Sequence, residues 1–190
     1  MTAQVPSQMS GQTAHQHIRA ALYDGLCGSA EPAIVFPEAT SSAASLWVAS
    51  RLWVDFFRAN KLVAGDRVVL QWPSSPGFVA FLVAAMWEGL TTAIVPPGMT
   101  PQQSMKFFDA RLGLGCGGLE ADSAACPVLP ELWLPRSAVG KPTPDVRLLM
   151  RTCGTSGCPG WVAMSDENIS SVLDSHKSRL VNRGDVVLSI

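Results

Sequence analysis

Hydrophobic residues along the chain alternate between short β-branched runs and longer segments in which apolar residues recur at helical spacing. The short runs predict strands, because four to six apolar residues bounded by turn residues are typical of buried strands. Strands are expected at or within Ala33–Phe36, Arg67–Trp72, Thr91–Pro96, Leu114–Ala121, Val146–Arg151 and Asp185–Ile190. Helices are expected in Ser41–Ala59, Ser74–Leu90, Thr100–Gly113 and from about Ser165 to Leu180.

Residues that start and stop helices support this division. Ser75 precedes Pro76, a pair typical of a cap and a first helical position, and Gly89 lies where the same helix should end. Thr100 and Pro101 repeat the starting pattern. Gly65-Asp66 marks a turn before the second strand, and the proline-rich segment Cys126–Asp145 is expected to be irregular.

The alternation of strands and helices predicts an α/β fold, a mostly parallel sheet flanked by helices. Strands buried on both faces explain continuous apolar runs such as Val68–Leu70. Ligands of such sheets bind where loops leave the carboxyl ends of the strands. The loop that follows Val146–Arg151 therefore lies where a site is expected.

The composition of the chain limits the kinds of function that it can have. The chain has 190 residues, 47% hydrophobic and 15% charged, with a net charge of −1, which gives no argument for binding nucleic acid or an anionic membrane. Residues 1–16 are polar and lack a basic start and an apolar stretch, so we expect a disordered lead-in followed by a single domain over residues 17–190. The longest apolar run, Phe78–Trp87, is too short to cross a bilayer.

The five cysteines favour a reducing compartment. Their number is odd, no Cys-x-x-Cys pair occurs, and no histidine stands at zinc-ligand spacing from them. We therefore expect unpaired thiols, no metal site and a cytoplasmic location.

The loop after Val146–Arg151 has the composition of a phosphate cradle. Gly154 and Gly157 permit positive φ and a close approach of backbone to ligand, and three hydroxyl residues accompany them: Thr152, Thr155 and Ser156. The alternative is an ordinary flexible turn between a strand and a helix. The loop is not a Walker A motif, because no Gly-Lys-Ser/Thr follows.

A second glycine-rich stretch is a weaker candidate. Gly113, Gly115 and Gly118 satisfy G-x-G-x-x-G, but a helical pattern precedes them and no amphipathic helix follows. Because a dinucleotide site needs a strand before and a helix after, we interpret this stretch as a helix end that leads into a glycine-rich strand.

The segment Thr152–Asn168 resembles the phosphate-binding signature of the adenylate-forming superfamily, which includes acyl-CoA synthetases, adenylation domains of peptide synthetases and luciferases. The signature reads T-S-G-T-T-G-x-P-K-G-V, two residues, then S/T-H-x-N. The upstream chain, from Ala33, is similar to the early helices and strands of that family. The resemblance implies that the loop holds the phosphates of ATP with Mg²⁺. The matching positions are Thr152, Gly154, Thr155, Gly157, Pro159, Val162, Ser165 and Asn168.

Three departures from the signature weaken the implied ATP site. Gly160 replaces the lysine, which removes a cation, and Trp161 replaces a glycine that lets the backbone come close. Asp166 replaces the histidine, and its charge is expected to oppose a phosphate. The resemblance therefore implies a vestigial phosphate site at Thr152, Gly154, Thr155, Ser156 and Gly157, with ATP and Mg²⁺ bound weakly or not at all and no catalytic residue.

The family's later motifs and its small C-terminal domain are not found before Ile190. We expect a degenerate, truncated N-terminal subdomain that is inactive alone and acts by associating with its own copy or with a partner protein that covers the open sheet. The alternative is one part of an ATP-dependent carboxylate-activating ligase, an acyl-CoA synthetase or adenylation domain completed by a second polypeptide. A gene remnant without a function of its own is a third possibility.

Overall fold

A computed structural model describes residues 11–27, 32–36, 39–96, 98–115, 131–133, 145–152 and 160–179. The helices within them are α1 (Gly11–Leu26), α2 (Ala43–Ala59), α3 (Pro76–Glu88), α4 (Pro101–Phe108) and α5 (Asp166–Arg179). The strands are β1 (Pro32–Phe36), β2 (Ala39–Ser42), β3 (Arg67–Gln71), β4 (Thr91–Ile94), β5 (Leu112–Gly115), β6 (Glu131–Trp133), β7 (Val146–Arg151) and β8 (Trp161–Ser165).

The main sheet has six strands in the order β6-β5-β3-β4-β7-β8. Its four central strands are parallel to one another, whereas the edge strands β6 and β8 run antiparallel to their neighbours. Strands β1 and β2 form a separate antiparallel pair. The predicted α/β class with a mostly parallel sheet is confirmed.

Helices cover both faces of the main sheet. On one face, Val68 and Leu70 of β3 pack with Phe57 of α2 and Phe81 of α3. A neighbouring cluster on this face joins β7 to α1 and α5 through Leu148, Ile18 and Ile169. On the other face, Val69 and Ala93 pack against Met105 and Phe108 of α4. The alternation of Val68, Val69 and Leu70 between faces is the two-residue period of a strand buried on both sides.

The helix caps form as their residues predict. The hydroxyl of Ser75 accepts a hydrogen bond from the backbone N–H of Phe78, with Pro76 at the first helical position. Gly89 ends α3 in the left-handed conformation, with φ 72°. Thr100 and Gln103 form a reciprocal capping box at the start of α4.

The glycine-rich stretch runs into a strand as expected, but Gly113 itself, expected at the end of the helix, already lies in the strand. Gly113 and Gly115 lie in β5, directly after α4 and its left-handed cap residue Asp109. Gly118 lies outside the described residues. The order is helix then strand, the reverse of a dinucleotide-binding turn.

Two expectations are wrong. Residues 11–16 of the expected disordered lead-in are helical, because they begin α1, whose Ala14 is completely buried. The short strand β6 lies within the segment expected to be irregular, where pairing with β5 stabilises it. Residues 1–10 and the strand expected at Asp185–Ile190 lie outside the described residues. Over the described part of the chain, no helix is both long and apolar enough to cross a membrane.

Candidate functional site

The candidate loop joins the two strands of an antiparallel hairpin. Arg151, the last residue of β7, is paired with Trp161, the first residue of β8. Beyond this pair, the N–H of Thr152 donates to the carbonyl of Gly160 at 2.9 Å. Because β7 is parallel to β4, the loop leaves the carboxyl end of a parallel strand, where sheets of this class bind ligands.

Of the predicted site residues, the structure describes only Thr152. Gly154, Thr155, Ser156 and Gly157 lie outside the described residues. The Thr152 hydroxyl accepts a hydrogen bond from the Gly160 N–H at 2.9 Å and lies 3.3 Å from the Gly160 carbonyl, to which it donates. The described rim of the loop is thus closed by its own polar groups, and a phosphate would have to compete with Gly160 for that hydroxyl.

Gly160 leaves the rim without the cation that the resembling signature places there. A Cβ atom built on Gly160 would meet the Thr152 hydroxyl at 3.8 Å, an ordinary contact, and its φ lies outside the left-handed range. The described backbone at this position therefore accepts a Cβ atom without strain.

The indole of Trp161 does not obstruct the loop, although its position in the motif suggests that it would. Its indole packs on α4, edge-on to Phe108 with ring centroids 4.7 Å apart and tilted against Phe107 at 6.1 Å. It thereby extends the core cluster that contains Met105 and Ala93. We attribute the tryptophan to packing between β8 and α4, because its ring is committed to that contact.

The expectation that Asp166 opposes a phosphate is wrong. Asp166 begins α5 at the far end of β8, five residues from Trp161, a separation of about 16 Å along a strand. Its carboxylate is 2% exposed and lies 2.6 Å from the guanidinium of Arg147, itself 4% exposed. Burial lowers the pKa of Arg147, while the carboxylate of Asp166 acts in the opposite direction. The aspartate thus neutralises a buried arginine on the side of the sheet away from the loop.

Polar residues that sequence reasoning missed surround this ion pair. The imidazole Nδ1 of His15 lies 3.9 Å from Asp166, and that of His17 lies 2.6 Å from the hydroxyl of Ser170. His17 Nε2 is 3.6 Å from the carboxylate of Asp174. These polar contacts connect helix α1 with helix α5. The buried hydroxyl of Ser170 is only 3% exposed, which argues against a catalytic role for this cluster.

Arg151 is the cation nearest to the loop in sequence. It is exposed, and among the described residues it forms no ion pair. The described residues contain no group of three histidines, cysteines or carboxylates that could hold a metal ion. Cys27, at the end of α1, is a free exposed thiol, and the other four cysteines lie outside the described residues.

Neither family models nor curated proteins match this sequence. Solved structures do match its fold. VinN in complex with 3-methylaspartate superposes with a TM-score of 0.60 at 20% identity, covering 88% of this chain and 51% of that one. O-succinylbenzoate Coenzyme A synthetase (MenE) from Bacillus subtilis, in complex with AMP, gives 0.58 at 16% identity, covering 87% and 46%.

A third match is MatB from Rhodopseudomonas palustris with ATP bound, which gives a TM-score of 0.60 at 18% identity and covers 85% of this chain and 37% of that one. The chain thus spans about half, or less, of the length of the solved proteins that it matches. At these identities the likeness concerns the fold, which agrees with the resemblance carried by Thr152–Asn168. The chain therefore has the fold of part of an adenylate-forming enzyme.

Proposed function

We propose that this chain is a noncatalytic relative of the adenylate-forming enzymes that acts by associating with protein. Taken alone, it binds Mg-ATP weakly or not at all. The observation that carries the proposal is the rim of the loop. Gly160 has no side chain there, and its backbone N–H and carbonyl form hydrogen bonds with the Thr152 hydroxyl.

The free energy lost with the lysine is large enough to lower ATP affinity measurably. A hydrogen bond to a charged group contributes about 1.5–3 kcal/mol, which corresponds to about 10-fold to 100-fold in a dissociation constant. Asp166 does not add to this deficit, because Arg147 neutralises it at the other end of β8. Trp161 does not add to it either, since its ring lies on α4. The expected loss of ATP affinity therefore arises at position 160.

Isothermal titration with Mg-ATP tests this proposal on three proteins: the unaltered chain, Gly160→Lys and Gly160→Gln. We expect a dissociation constant above about 1 mM for the unaltered chain and a gain of about 10-fold or more for Gly160→Lys. Gly160→Gln has a side chain of similar length without the charge, and should not reproduce the gain. Low-micromolar binding by the unaltered chain would contradict the proposal. Circular dichroism verifies that both variants are folded.

The second candidate is one part of an ATP-dependent carboxylate-activating ligase, completed by another polypeptide. The exposed guanidinium of Arg151 favours it, since an arginine beside the loop can replace a lysine as a phosphate ligand. In this reaction a carboxylate oxygen attacks the α-phosphorus of ATP, and the bond to pyrophosphate breaks to give an acyl-adenylate. If the unaltered chain binds Mg-ATP and Arg151→Ala weakens that binding at least 10-fold, this candidate replaces the first.

A further inference from the structure

Two buried polar atoms face each other between helix α1 and the start of helix α5. Nδ1 of His15 lies 3.9 Å from Oδ1 of Asp166. Both atoms are shielded from solvent, and neither has a hydrogen-bond partner within the described part of the chain. The distance is too long for a direct N–H···O hydrogen bond, which needs about 2.7–3.2 Å. Because buried polar atoms are nearly always hydrogen-bonded, a further group is expected between these two.

The separation of the two atoms fits one bridging water molecule. A water oxygen about 2.8 Å from each atom spans 3.9 Å, with an angle of about 90° between its two hydrogen bonds. Waters inside proteins typically bond to two to four polar groups that would otherwise be unsatisfied. Polar groups separated by more than about 3.5 Å are often joined in this way. The geometry therefore accommodates a single water between His15 and Asp166.

The charges around this position favour a neutral ligand. The second oxygen of the Asp166 carboxylate, Oδ2, lies 2.6 Å from the guanidinium of Arg147. Since the arginine already balances the carboxylate, a metal cation would add an uncompensated charge to a buried location, which is costly. An anion would face the carboxylate oxygen and be repelled by it. A small neutral molecule that donates a hydrogen bond to Asp166 satisfies these conditions, and water is one.

The surroundings of the imidazole determine which of its nitrogens carries the proton. A Cβ atom built on Gly89, the residue that ends α3, would lie 3.5 Å from Cε1 and 3.6 Å from Nε2 of His15. The C-terminus of a helix carries partial negative charge on its last carbonyls, which favours an N–H at Nε2. A neutral imidazole has one N–H, so Nδ1 is then an acceptor that faces a carboxylate oxygen. A water between them can donate one hydrogen to each.

From these observations we infer that one buried water bridges Nδ1 of His15 and Oδ1 of Asp166. The inference goes beyond the proposed function, because it concerns neither ATP nor a protein partner. Asp166 also contacts Arg147 of β7 and directly follows β8. The water therefore connects α1 with the hairpin whose loop is the candidate site.

A high-resolution crystal structure of the full chain tests the inference directly. We expect one ordered water within about 3.2 Å of both atoms. In His15→Leu, which has no polar atom on that side chain, the water should be lost. His15→Asn keeps a polar atom close to the position of Nδ1 and should retain it. His17→Leu is the matched control, because His17 contacts Ser170 and Asp174, and not Asp166. A direct contact between His15 and Asp166, or a water that His15→Leu retains, would overturn the inference.

Nuclear magnetic resonance gives a second measurement that needs no variant to fold. At about pH 8, where an imidazole is ordinarily neutral, the ring ¹⁵N shifts of His15 should report a proton on Nε2 and none on Nδ1. Cross-relaxation should also connect the His15 ring with a long-lived water. A proton on Nδ1 would indicate direct donation toward Asp166 and would contradict the bridge. Neither measurement involves ATP, so their outcome leaves the proposed ATP deficiency to its own titration.

Discussion

At the scale of single residues, Trp161 and Asp166 have physical roles that differ from those their positions in the motif suggest. Both depart from the resembling signature, and from the sequence both were interpreted as obstacles to a phosphate. The structure instead packs Trp161 on Phe108 and pairs Asp166 with Arg147. Only the third departure, Gly160, stands at the rim of the loop. The sequence located the changes, but the direction of each side chain depends on β8, a strand that was not predicted.

The Arg147–Asp166 pair leads to a stability prediction. Both residues are at least 96% buried, so loss of Asp166 removes the counter-charge nearest to a buried guanidinium. We expect Asp166→Asn to lower the free energy of unfolding by about 3–5 kcal/mol, measured by urea denaturation. The double variant Arg147→Met/Asp166→Leu should cost less than this single change, because it removes both charges and keeps an apolar core. A cost below about 1 kcal/mol for Asp166→Asn would show that the pair is not needed for stability.

At the scale of elements, local signals predicted α3 and α4 well, because Ser75, Gly89 and Thr100 act on their own neighbours along the chain. Elements that depend on pairing with another strand were missed. Strand β8 exists through its pairing with β7, and β6 through its pairing with β5. Helix α1 was not predicted, since its apolar residues are interspersed with polar ones and its buried face meets residues more than a hundred positions away.

Helix α1 leads to a prediction of its own. Ile18 is 1% exposed and joins Leu148 and Ile169 in the core, so α1 should contribute to the stability of the domain. We expect Ile18→Ala to lower the free energy of unfolding by about 2–4 kcal/mol. Gln16→Ala, an exposed position of the same helix, should change it by less than about 0.5 kcal/mol. If both variants unfold like the unaltered chain in urea, α1 adds no stability to the sheet.

At the scale of the whole molecule, the alternation of strands and helices was enough to predict the class, and the order of strands was not predicted. The α/β class follows from repeated local patterns. The position of β4 between β3 and β7 follows from contacts between segments far apart in sequence. Most of the candidate site stays a prediction, since Gly154–Gly157 lie outside the described residues. The same holds for the cytoplasmic location.

Association with protein, which the proposed function includes, should respond little to salt. The chain has a net charge of −1 and 15% charged residues, so screening has little net charge to act on. We expect the dissociation constant for self-association of the unaltered chain, measured by sedimentation velocity, to change by less than about 3-fold between about 50 mM and about 500 mM NaCl. A stronger salt dependence would locate the contact on a charged surface of the molecule.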